Sequence, residues 1–230
     1  MAANKILNEL KAFTNFANLG FKYNLQTFPD TISAAAFLFT LLFQSPPLAA
    51  LTGSIVLLNF IHPVAAGFLG DVLDGTATAT GPACSGRFGP GISFERLADM
   101  TSSKTLGQPD TAAWPSYYAT FLGFLTAYVG VLPVLYSKEL EASPKRRAST
   151  TAGLVVLAIV ILTACVYRVV SECDTVGGLF VGLGVGAVVG LAMVLFFAWI
   201  SERRLTNILA FPLIRERAPD GKPIYVCERK

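Results

Sequence analysis

The residues that could do chemistry together are Lys104, Ser116, Tyr118, Arg168, Cys173 and Asp174. Lysine and arginine can neutralise phosphoryl oxygens as charge develops on them. Ser116 and Tyr118 bring hydroxyls, and Asp174 follows Arg168 by six residues, close enough to pair with it across a tight turn. Holding a phosphate needs nothing more than cations and backbone donors. Hydrolysing one also needs a nucleophile and a proton carrier matched to the working pH. The only histidine, His62, lies much earlier, in "NFIHPVAAG", and a phenol with an ordinary pKa of about 10 does not replace an imidazole. The plain alternative is that Arg168 and Asp174 form an ordinary ion pair near the ends of two spans.

Hydrophobic helices must position these residues. Of 230 residues 53% are hydrophobic and 14% charged, with mean hydropathy +0.56, against about 25% charged in an average soluble domain. Four runs, Leu48 to Leu69, Tyr117 to Tyr136, Ala152 to Val170 and Val176 to Ile200, approach the roughly 20 residues that cross a bilayer. A fifth, Thr31 to Phe43, is too short to cross alone and ends at "QSPPL", where prolines remove backbone donors. It reads as a half-span, a re-entrant piece or one arm of a hairpin. The fold class expected is all-α: a polytopic transmembrane bundle over residues 31–200, an N-terminal segment 1–30 and a basic tail 201–230. In the N-terminal segment Ile6, Leu10, Phe13 and Ala17 recur at helical spacing, which suits a helix lying in the interface or a plain solvent-facing one.

No cleavable signal peptide is expected, since the first apolar run begins only near residue 31. Basic residues give the orientation. Three precede residue 31, four lie in "SKELEASPKRR" and seven run from Arg203 onward. If residues 31–69 cross an odd number of times, all of these share one side, as the positive-inside rule favours, and both termini are cytoplasmic. The loop from Gly70 to Trp114 and the turn "YRVVSECDTVGG" then share the other face, where Lys104, Ser116, Arg168 and Asp174 can meet. A net charge of +3, dispersed along the chain, makes nucleic acid an unexpected partner.

Three segments in order resemble the motifs of the type 2 phosphatidic acid phosphatases, or lipid phosphate phosphatases. "KTLGQPD" is similar to the first motif, with Gln108 where arginine is usual. "WPSYYATFLGFLTAY" is similar to the second, keeping Pro115 and Ser116 but with Tyr117 and Tyr118 where glycine and histidine belong. "YRVVSECDTVGGLFVG" is similar to the third, keeping Arg168 and Asp174 but shorter and lacking its histidine. In that family the third-motif histidine attacks phosphorus and the second-motif histidine protonates the leaving alcohol. The resemblance therefore implies a pseudoenzyme: no catalytic residue, and a vestigial phosphate or lipid-headgroup site at Lys104, Ser116, Tyr118, Arg168 and Asp174. Compact, degenerate relatives of the family also resemble membrane proteins in the virions of large icosahedral DNA viruses.

The cysteines show no metal spacing, and no cofactor is expected. Cys173 is not expected to be catalytic, because "CDTVGGL" returns no arginine after the cysteine. Cys84 and Cys173 share a face and could pair if it is oxidising; two free thiols are the expectation. Glycines at 178, 182, 186 and 190 cut a smooth stripe along the last span, read as packing within the chain's own bundle, with a partner interface as the alternative. The tail suits an anchor to anionic headgroups or a protein partner, or a simple retention signal. The function these features imply is a noncatalytic structural component of a larger membrane assembly, with membrane lipids and other assembly proteins as partners. An active lipid phosphatase with altered residues and a small transporter-like bundle are the alternatives.

Overall fold

A computed structural model of the chain describes residues 23–72, 84, 114–201, 203–209, 214–217 and 223–225. Seven helices are formed among them: α1 (Phe28–Phe43), α2 (Pro46–Val72), α3 (Tyr117–Gly130), α4 (Leu132–Leu135), α5 (Ser137–Glu141), α6 (Pro144–Val170) and α7 (Val176–Ile200). The bundle is all-helical. Four stretches, Pro46–Gly70, Tyr117–Leu135, Pro144–Val170 and Val176–Ile200, are long and apolar enough to cross a membrane, so the chain is an integral membrane protein. The N-terminal residues expected to lie in the interface fall largely outside the described residues.

Helix boundaries follow local chemistry. Gln44 ends α1 in the left-handed conformation, φ 46°, and Pro46 and Pro47 open α2, since a helix start does not need the donor that proline lacks. The two helices form a hairpin joined by Thr40 Oγ1 and Thr52 Oγ1 at 3.0 Å. At 16 residues α1 is shorter than the four spans, and it packs against α2 as the first arm of this hairpin. The bundle also begins before residue 31, for Leu25, Thr27 and Asp30 are buried. Helix α6 starts at Pro144 rather than Ala152, so its basic residues extend the helix beyond the apolar run.

Helix α3 is the centre. Its Tyr117, Phe121, Phe124 and Tyr128 are fully buried against Leu51, Ile55 and Leu58 of α2 and Val194 of α7, while its Tyr118 and Leu122, equally buried, pack with Leu25 and with Ala164 of α6. The tightest pairing is α3 with α7. A methyl group at Gly186 would overlap the Thr120 carbonyl, one at Gly190 the Phe124 backbone, and one at Gly182 the Ala119 side chain. Gly178 faces Trp114 instead, and Gly123 of α3 meets Leu183 of α7 in return. The stripe thus packs inside this chain, because only the missing Cβ atoms let the backbones approach so closely. The outer faces of α6 and α7 remain apolar and exposed, including Val156, Leu162, Phe180, Val188 and Trp199, as lipid-facing surfaces do.

At the other end from the 171–175 turn, the start of the tail folds back on the bundle. Arg203 Nη1 donates to the Leu135 carbonyl at 2.7 Å and stands 3.9 Å from Glu139, while Tyr136 Oη lies 2.8 Å from Thr206 Oγ1 and donates to the Arg203 carbonyl. Burial dominates the Tyr136 phenol and raises its pKa; Thr206 and Arg203 pull the other way, and Glu139 adds to the rise. Farther on, β1 (Ile214–Arg217) pairs antiparallel with β2 (Pro223–Tyr225).

Candidate functional site

Arg168 comes from the last turn of α6, and the chain reverses directly after it. Glu172 adopts φ 56°, and the amides of Cys173 and Asp174 both return to the Arg168 carbonyl, at 2.9 and 3.3 Å. The turn therefore swings Asp174 back toward the arginine side chain. Arg168 Nε donates to Asp174 Oδ2 at 2.7 Å. Thr175 then caps α7 by accepting from the Gly178 amide at 3.0 Å, a common use of threonine at a helix start.

Two further elements close on this ion pair. Arg168 Nη1 donates to the Cys84 carbonyl at 2.9 Å, and the guanidinium lies over the Tyr118 ring, 4.5 Å from its centre. Cys84 is itself bonded to Cys173 by a disulfide, which corrects the expectation of two free thiols: the same turn that places Asp174 also presents Cys173 to Cys84. Tyr118 is fully buried, and its hydroxyl donates to the Leu25 carbonyl at 2.6 Å. Nearby, Gln26 Nε2 donates to Tyr167 Oη at 3.1 Å. Arg168 is left only 2% exposed. A charge so deeply placed is tolerable when paired and hydrogen-bonded, and the stacked ring adds a cation–π contact.

The structure thus brings Tyr118, Arg168 and Asp174 together, with Ser116 one turn away. Ser116 caps α3, its hydroxyl accepting from the Ala119 amide at 3.2 Å. Lys104 lies outside the described residues. The stripe residues Gly178, Gly182, Gly186 and Gly190 serve helix packing, as described above. Among the described residues no group of acidic, histidine or cysteine side chains has the makings of a metal site. Cys173, held in the disulfide, has no thiol to act as a nucleophile.

Sequence reasoning missed His62. Although it lies in α2, its Nε2 is 2.9 Å from the Pro115 carbonyl, one residue from Ser116. A carbonyl only accepts, so Nε2 carries the proton. The ring is fully buried and edge-on to Tyr117, with centres 5.4 Å apart, and Nδ1 has no hydrogen-bond partner among the described residues. The signal was present: Asn59 and His62, three residues apart in the second half of the span, share a helix face that lipid would not tolerate and protein must cover. Asp174, the aspartate of this region, is hydrogen-bonded to Arg168 and not to His62.

Comparison of the chain with protein-family models, with curated proteins and with solved structures finds no match in any of the three. The likeness to the lipid phosphatases therefore rests on the motif residues themselves.

Proposed function

We propose that this chain is a noncatalytic integral membrane protein that serves as a structural component of a larger membrane assembly, with both termini on the cytoplasmic side. The observation that carries the reading is the state of Arg168. A phosphatase would aim this cation at substrate, whereas here Asp174, the Cys84 carbonyl and the Tyr118 ring surround it. The cluster acts as a staple joining α3, the α6–α7 turn and Cys84. Four spans return the chain to the side from which it started, and the clustering of basic residues on that side supports a cytoplasmic assignment. The broad apolar faces of α6 and α7 supply surface for lipid and for neighbouring membrane proteins.

The test is to extract the protein from its native membrane in mild detergent and to assay it for phosphate release from phosphatidic acid. Migration within a complex and release no greater than a detergent blank are expected. A lone, monodisperse protein that hydrolyses phosphatidic acid would overturn the proposal.

A further inference from the structure

At the opposite end of α6 from Arg168 an open trough of about 670 Å³ runs along the first three turns, lined by Arg147, Ala148, Thr151, Ala152, Val155 and Val156. Its chemistry is divided along its length. The upper end carries the Arg147 guanidinium, and the other described lining residues are apolar apart from the Thr151 hydroxyl. Lys145 stands on the same side by helical spacing, seven and eleven residues before Ala152 and Val156. No acidic residue occupies the first turn, and both Lys145 and Arg147 are exposed.

Depth in the membrane makes this division meaningful. The helix has 27 residues and is about 40 Å long at 1.5 Å per residue, against a hydrocarbon core of about 30 Å. Its basic first turn therefore stands at headgroup level. Val155 and Val156 lie two to three turns deeper, about 12 Å below Arg147, among the acyl chains. From this match of charge and depth we infer that the trough is a binding site for an anionic phospholipid, with the phosphate beside Arg147 and Lys145 and one acyl chain along Ala148, Ala152 and Val155.

The occupant has one negative charge to neutralise and an apolar chain to bury, which is what a cation above an aliphatic trough offers. A zwitterionic lipid lacks the net charge. A soluble phosphate ester lacks the chain. The site is separate from the Arg168 staple, so it stands or falls independently of the scaffold role.

The test uses the full-length protein, delipidated in detergent and titrated with phosphatidylglycerol, phosphatidylcholine of the same chain length, and glycerol 3-phosphate, with adducts counted by native mass spectrometry. Phosphatidylglycerol should be retained in preference to both others. Replacing Lys145 and Arg147 by glutamine should weaken that retention by about fivefold per cation, the equivalent of roughly 1 kcal/mol for each basic residue near an anionic surface. Ala152→Leu, which fills the trough and leaves both cations in place, should reduce retention while the melting temperature stays that of the parent. Equal retention of the two phospholipids, or retention unchanged in both variants, would overturn the site. Binding of glycerol 3-phosphate as tight as that of the lipid would show a headgroup-only contact and refute the trough. A dimer that Ala152→Leu dissociates without changing lipid retention would assign the face to a second copy of the chain instead.

Discussion

The guanidinium of Arg168 lies over the ring of Tyr118, 50 residues away in sequence, with 4.5 Å between the guanidinium carbon and the ring centre. Through this contact the end of α6 is fixed to the start of α3. Asp174 and the Cys84 carbonyl complete the enclosure. Replacing Arg168 by alanine leaves Asp174 buried without its counter-charge, and breaking a buried pair in this way costs about 3–5 kcal/mol. A strong fall in the melting temperature of the detergent-solubilised protein is expected. Arg168→Lys should recover little of it, since an ammonium cannot reproduce the planar stacking and the forked donors. A variant with the parent's melting temperature would show that the staple is not structural.

Gly186 and Gly184 differ by only two positions, yet one faces the Thr120 carbonyl and the other open space. Leucine at 186 should push α7 away from α3 and cost about 1–3 kcal/mol or more, as overpacking does. Leucine at 184 should stay within about 0.5 kcal/mol of the parent, as surface changes do. Thermal unfolding of the two variants in the same detergent makes the comparison, and equal losses would contradict the α3–α7 packing.

The Cys84–Cys173 bond spans 89 residues of chain. Alkylation in denaturant should add two more labels per chain after reduction than before it, read by intact mass. Cys84→Ser should lower stability by about 2–4 kcal/mol and lessen protection of the Arg168 region in hydrogen exchange. An unchanged label count on reduction would show that the bond does not form.

Tyr136 holds the start of the tail through Thr206 and the Arg203 carbonyl. Burial, the largest influence, raises its phenol above the ordinary value of 10.0. The folded protein therefore binds this proton more tightly than the unfolded chain does. The stabilising contribution is fully present below the unfolded value and is lost as pH rises through the folded one. Between about pH 9 and pH 11.5, a range that brackets an ordinary tyrosine, the parent should lose more melting temperature than Tyr136→Phe. At neutral pH the phenylalanine variant should already be weaker by about 1 kcal/mol, one net hydrogen bond. Parallel pH profiles for the two proteins would remove Tyr136 from this role.

The sequence by itself determined the class of the molecule and most of its elements. Runs such as Val176 to Ile200 must form helices in a bilayer, because every backbone polar group there has to be satisfied within its own segment, and that helix has the bounds its apolar run implies. The break at "QSPPL", where prolines remove backbone donors, and the tight turn between Arg168 and Asp174 are equally local, although the turn is made by Glu172 at φ 56° rather than by a glycine. The four-residue glycine period showed that some backbone would come close to α7. Only the tertiary structure decided that it was α3, since a smooth stripe accepts any suitable partner and shape complementarity selects among them. The same holds for Cys84, whose pairing with Cys173, 89 residues away, no local pattern encodes. His62 is the plainest case: remote from Ser116 in sequence, it reaches the Pro115 carbonyl because α2 and α3 pack side by side. Burial and proximity are properties of the assembled helices, and no local pattern of residues encodes which faces will meet.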